Sequence, residues 1–317
     1  MSLGIEVSII IVSWNVSVLL RPCLRSLFEA GGLPAGRFEV IVVDNDSRDG
    51  TVAMLREEFP WVEVVANREN VGFAAAHNQV LTLCRGEILL LLNPDTVVAP
   101  GALATLVERL RKTPGAGIVG PRLLNSDGSL QKWTGGAFPR LRNVAQHYLF
   151  LDRVLPGCLR TAPLYLDHDR TGDTEVDWVS GACLVIWREL AGERLFDPNY
   201  FMYGEDMELC FRVKQGGRRV VYSPAASIVH HQGASIKQQQ GDILLSSLKG
   251  LRFFYAATQG RRKLWIVDLL TVVGFFLRAL LFGMAMLAGV SGAEGKASSS
   301  WGYMKRAIRV LGTSATW

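Results

Sequence analysis

The chain has 317 residues, 49% apolar and 20% charged, a globular balance long enough for one large core plus an appendage. Its net charge of +5 is uneven, +8 over residues 236–317 and −3 over the first 235. No Lys/Arg run with interleaved aromatics occurs in the body, which argues against nucleic acid and for an anionic membrane surface as partner.

Five scattered cysteines, Cys23, Cys84, Cys158, Cys183 and Cys210, lack metal or disulfide spacing and point to a reducing compartment. Residues 6–13 (EVSIIIVS) read as a buried strand closed by Trp14-Asn15, with no signal peptide before it. Residues 17–30 set Leu19, Leu20, Leu24, Leu27 and Phe28 at helical spacing until Gly31-Gly32 stops them. A strand over 38–43 ends at Asp44, a helix runs from near Asp49 to Glu58, and a strand over 61–66 precedes a helix over 72–84. A strand over 87–92 and a helix over 100–111 complete four alternations, the pattern of a parallel, doubly wound sheet. Residues 120–170 read as loop-rich. Residues 176–187 are strand-like with a break at Ser180-Gly181, 205–214 helical, 219–222 a strand, and 228–235 (IVHHQGAS) close the body.

Chemistry gathers where these strands end. In EILLLLNPDT (87–96) proline stops the ladder and delivers Asp95 to the carboxyl edge of the sheet, where it either caps the next element or meets a ligand. In VVDNDSRDGT (42–51) Asp49 suits a helix cap and Asp44 a base or ribose. NRENVGFAAAHN (67–78) opens a helix with small residues that admit a diphosphate or a tight sheet contact, while His77 reads as a satisfied polar residue. FMYGEDMELCFR (201–212) puts Glu205, Asp206 and Glu208 in a first helical turn, either as dipole complements or as a desolvated base. His230-His231 alone is weak for metal.

Together with IIIVSWN (9–15) and WVSGACLVIWRE (178–189), these segments in this order resemble the family 2 glycosyltransferases, closest to a rhamnosyltransferase-like branch, over roughly residues 5–235. The resemblance implies an α/β GT-A fold, a Rossmann-like, mostly parallel sheet flanked by helices. Residues 1–235 would be catalytic, nucleotide-sugar binding to about 120 and acceptor-facing beyond. It implies an inverting, Mg²⁺- or Mn²⁺-dependent transfer from a nucleotide-diphosphate sugar to a glycan or polyprenyl-linked acceptor for cell-surface polysaccharide. dTDP-rhamnose is the leading donor, UDP-galactofuranose an alternative. By the same resemblance Asp206 is the base, and Ser13, Asn15, Asp44, Asn70, Gly72, Asn78, Asn93, Asp95 and Arg212 bind the donor. Trp178, Gly181 and Glu205 would line the sugar and acceptor pocket, and Asp95 with His230 (His231 as fallback) would hold the metal. Asn93 stands where the family's D-x-D motif begins, which leaves an inactive nucleotide-binding scaffold as the alternative.

Residues 264–290 are apolar enough to span a bilayer, yet Lys263, Asp268, Thr271, Gly274 and Arg278 gather on one side of the helical wheel. That pattern favours a helix lying in the interface, anchored by Arg261, Arg262 and Lys263 and by Lys305, Arg306 and Arg309, over a true span. The alternative is a helix buried on the body or on another subunit. Residues 236–317 are therefore expected as a membrane-associated helical appendage. The expected setting is the inner face of the cell membrane, as a peripheral cytoplasmic protein, with a homo-oligomer allowed.

Overall fold

Every side chain of β1 (Val7–Ser13) is buried, as an apolar run must be when helices cover both faces of a parallel strand. In this computed structural model, which describes residues 4–166, 170–200, 202–231 and 243–310, β1 leads into α1 (Ser17–Ala30), β2 (Phe38–Asp44), α2 (Thr51–Glu58) and β3 (Glu63–Ala66). Next come α3 (Phe73–Gln79), β4 (Ile88–Leu92), β5 (Thr96–Val98), α4 (Ala102–Lys112) and β6 (Ala116–Leu124). The chain continues through β7 (Gly135–Gly136), α5 (Leu141–Tyr148), α6 (Leu151–Val154), β8 (Thr174–Val176), β9 (Trp178–Val179) and β10 (Cys183–Trp187). It ends with α7 (Glu205–Gln215), β11 (Arg219–His230), α8 (Ile243–Gln259), α9 (Leu264–Leu287) and α10 (Ala293–Val310).

Among the described residues, nine strands form one sheet in the order β3-β2-β1-β4-β10-β6-β11-β5, with β8 also on β11. The half from β3 to β4 is parallel, as is β6 with β11. β10 runs antiparallel between β4 and β6, and β5 antiparallel along the edge of β11. This is the α/β, GT-A-like architecture expected. Ile9, Ile11, Val40, Val42 and Leu90 join Leu20 and Leu24 of α1 and Leu103 and Leu106 of α4 in one buried cluster.

The differences from the sequence reading have local causes. β6 was not expected, and its residues 120–124 fall in the stretch read as loop, because Gly117, Gly120 and Pro121 mask its apolar pattern. Those glycines are there for proximity: a Cβ on Gly117 would stand 2.6 Å from Val213, and one on Gly120 2.7 Å from Val179. α3 stops at Gln79, not Cys84, because its bonds shorten to one turn of three, as in Val80 N–H to His77 O and Leu83 N–H to Val80 O. β11 bridges the expected gap over 223–227 with an irregular register around Pro224. The expected end of the body at residue 235 and start of the appendage at 236 lie outside the described residues.

The chain divides into two compact units, Met1–Gly136 with Tyr165–Gly241, and Ala137–Leu164 with Asp242–Trp317. The sheet belongs to the first. In the second, α5 and α6, expected among the acceptor-side loops, fold with α8–α10. The polar side of α9 is turned into this unit rather than to water, correcting the basis of the interface reading. Asp268 pairs with Arg252 at 2.8 Å, both side chains under 10% exposed. Arg278 donates to the carbonyls of His147 (3.0 Å) and Tyr148 (3.2 Å) and lies over the Phe150 ring. The opposite side, with Trp265, Leu269, Leu280, Met284 and Leu287, is exposed. Residues 261–287 form one helical stretch apolar and long enough to cross a membrane.

Candidate functional site

The parallel register pairs Ser13 with Asp44 at the carboxyl ends of β1 and β2. Both are essentially fully buried. Neither Ser13 Oγ nor Asp44 Oδ1 has a hydrogen-bond partner among the described residues, whereas Asp44 Oδ2 accepts Ser47 N–H at 2.9 Å. Burial raises the Asp44 carboxyl above its ordinary range, although Ser47 opposes the shift. A buried, half-satisfied carboxylate asks for a donor from outside. Asn15, in a left-handed conformation (φ 52°), welds the neighbouring loops, giving N–H to Ser47 Oγ and accepting Arg48 N–H. Asp49 caps twice, accepting the N–H of Ser17 at the start of α1 and of Thr51 at the start of α2. Beside them lies a cleft of about 610 Å³ lined by residues 15–19, Arg48 and Asp49. Asn70 makes a turn with Gly72 N–H. Asn78, expected to contact the donor, instead engages both the N–H and carbonyl of Phe196 with its amide. His77 gives its Nδ1 to Phe73 O, and burial lowers its pKa to about 4, so it stays a neutral core group.

At the end of β4, Asn93 N–H donates to Ala182 O, while Asp95 continues into β5 and so meets the end of β11. His230 Nε2 lies 3.3 Å from Asp95 Oδ1 and 3.4 Å from the Asn93 amide nitrogen. Gln131, which the sequence reading missed, is buried behind them. Its Nε2 donates to His230 O and Asn125 Oδ1, so its Oε1, 2.8 Å from His230 Nδ1, must accept. Nδ1 is thereby engaged by Gln131, and Nε2 is the ring atom left to face the Asp95 carboxylate and the Asn93 amide. An imidazole nitrogen and a carboxylate oxygen 3.3 Å apart can both ligate one cation. No group of three or more His, Cys, Asp or Glu residues of metal-binding geometry occurs among the described residues. Two protein ligands are, however, what Mg²⁺ or Mn²⁺ needs when diphosphate oxygens complete its sphere, so the residues present fit the group. His231, the fallback, faces Ser126 instead.

Across from this pair, β10 lies along β4 with Cys183 opposite Leu92, which brings residues 181–182 beside Asn93. Gly181 N–H donates to Asp206 Oδ2 at 3.0 Å, and Met207 N–H to Oδ1 at 2.8 Å. Asp206 is thus clamped at the first turn of α7, and burial raises its pKa. Glu205 beside it is also buried, with Oε2 unpartnered among the described residues, and burial plus Asp206 raises its pKa further. Tyr203, held at φ 71°, lies within electrostatic reach of Glu205, Asp95 and Asp206, all of which add to the effect of burial in raising its phenol. The bonds of Gly181 N–H to Asp206 and of Asn93 N–H to Ala182 O bring the segments of Asp206 and Asp95 to the same end of the sheet. Arg212 spends its guanidinium on Glu208 and Leu195 O, bracing α7. Trp178 is buried with its indole N–H unpartnered among the described residues.

Residues 8–193 match the model of the family described as Glycosyl transferase family 2. The N-acetylglucosaminyl-diphospho-decaprenol L-rhamnosyltransferase of Mycobacterium tuberculosis is 28% identical over 261 residues, 78% of this chain and 83% of that protein. Rhamnosyltransferase WbbL of Escherichia coli is 27% identical over 46% of this chain and 52% of its own. Among solved structures, the mannosyltransferase PcManGT of Pyrobaculum calidifontis with GDP-Man and Mn²⁺ superposes with a TM-score of 0.60 at 19% identity, covering 96% of this chain and 86% of that one. That likeness is one of fold.

Proposed function

The chain belongs to glycosyl transferase family 2, and from that premise we propose that this glycosyltransferase moves rhamnose from dTDP-rhamnose to a saccharide carried on a polyprenyl diphosphate, with inversion at the anomeric carbon. The observation that carries the reading is that neighbouring residues of one turn hold both carboxylate segments: Gly181 N–H binds Asp206, and Ala182 O takes the N–H of Asn93, two residues before Asp95. The rhamnosyltransferase relatives favour the sugar, and the decaprenol-linked substrate in one relative's name favours the acceptor. Asp44 supports the nucleotide class: one carboxylate oxygen with no partner among the described residues matches the single imide N–H of thymine or uracil, where guanine would present two adjacent donors.

Asp95 and His230, with Asn93 close by, would hold Mg²⁺ or Mn²⁺. When bound, the ion offsets charge on the departing diphosphate. Asp206 takes the proton of the acceptor hydroxyl. Its two backbone donors fix its direction while leaving each oxygen a further lone pair. Desolvation lifts its basicity above that of an ordinary aspartate. The sheet-bearing body is the catalytic part. The helical part around α9 attaches peripherally to the anionic inner face of the cell membrane through its exposed apolar side and the basic Arg261, Arg262 and Lys263.

General-base assistance contributes about 10²–10⁴-fold, so Asp206→Asn should lose transfer by that factor while binding dTDP as the wild type does. Calorimetry of dTDP with Mn²⁺ and a radiolabelled transfer assay check both halves. Wild-type binding of dTDP without turnover of any nucleotide sugar would instead mark a scaffold.

A further inference from the structure

Trp133 stands out from the machinery already described. It is 56% exposed, and its backbone is left-handed, φ 64°, a conformation that costs a bulky residue free energy. The loop that carries it is fixed at both ends by the site. Gln131 is held on His230, and Thr134 O accepts Ser180 N–H at 2.9 Å, next to the Gly181 that clamps Asp206. A rigid loop thus keeps a strained tryptophan facing outward. Behind it runs an aromatic ladder: the Trp133 ring is 6.1 Å from Tyr165, and Tyr165 is 6.2 Å, edge-on, from Trp178. The inner member, Trp178, offers a buried indole N–H unpartnered among the described residues.

Strain retained on a ring that is 56% exposed points outward, to a ligand. An indole face is apolar with a negative quadrupole, and the axial C–H face of a pyranose ring is the apolar, weakly positive surface that complements it. The geometry points to Trp133 as the stacking platform for a pyranose ring of the acceptor, held beside the Asp206 that activates its hydroxyl. This rests on the transferase reading above and adds to it the substrate class met by this loop.

The full chain and its Trp133→Ala, Trp133→Phe and Trp133→Gly variants can be titrated separately with dTDP plus Mn²⁺ and with octyl β-N-acetylglucosaminide. All four should bind dTDP equally. Trp133→Ala and Trp133→Gly should bind the glycoside about tenfold more weakly or worse, and Trp133→Phe should keep most of the affinity. Trp133→Gly, freed of the left-handed penalty, should melt no lower than wild type, which a merely structural tryptophan would not allow. Equal glycoside binding by wild type and Trp133→Ala, or no glycoside binding by a wild type that binds dTDP, overturns the platform and leaves the donor side intact. A wild type that fails to bind dTDP overturns the underlying transferase reading.

Discussion

His230 reaches Asp95 with Nε2 because Gln131 occupies Nδ1. Partners of that sort tune metal affinity by about 10–100-fold. Gln131→Leu should therefore weaken Mn²⁺ binding by that factor, read by electron paramagnetic resonance of the free ion, while metal-free dTDP binding stays unchanged. Glu205 makes a second residue-scale prediction. Burial raises its folded pKa above the ordinary 4.5, so between the two values the folded chain binds more protons than the unfolded one. Stability is then undiminished below about pH 4.5 and declines as pH rises toward the folded value. Glu205→Gln removes that decline. Its melting temperature should exceed wild type at pH 8, by about 2–4 °C per kcal/mol gained, and match it at pH 4. Scanning calorimetry at the two pH values checks this. Asp44, Asp95 and Asp206 were legible in the sequence because each follows a strand end or opens a helix. Gln131 and Trp133 were not, since loops carry no period and their importance comes from partners distant in sequence.

At the scale of elements, β1, β2 and β4 were readable because an unbroken apolar run has few alternatives once helices flank it. β6 escaped because its glycines answer to neighbours, α7 and β9, rather than to its own pattern. The antiparallel β10 could be seen as a strand, but its place between β4 and β6 could not, and that place carries Gly181 to Asp206. In α9 the sequence indicated a polar stripe but not where it faced. The stripe includes Gly274, where a Cβ would stand 2.6 Å from the Tyr148 side chain and 2.7 Å from its carbonyl oxygen. Gly274→Val should therefore wedge α9 away from α5 and cost about 1–3 kcal/mol, seen as a lower melting temperature, with dTDP affinity retained.

For the whole molecule, the question is how α9 meets lipid. α10 packs along α9 as the second arm of a hairpin and carries Lys296, Lys305, Arg306 and Arg309. Drawing α9 across a bilayer would take its partner with it, at about 2.5–3.5 kcal/mol for each of those charges at the membrane centre. We propose on this ground that the hairpin lies flat on the membrane, with the exposed Trp265, Leu269, Leu280, Met284 and Leu287 as its lipid-facing side. Leu280→Glu combined with Met284→Glu should abolish flotation with vesicles containing phosphatidylglycerol, while dTDP binding persists. The exposed stripe of α9 also changes how encounters are counted. On the proposed membrane attachment and lipid-linked acceptor, enzyme and substrate meet in two dimensions, so turnover should follow substrate molecules per area of lipid rather than per volume, and crowding the leaflet with plain phospholipid should slow it.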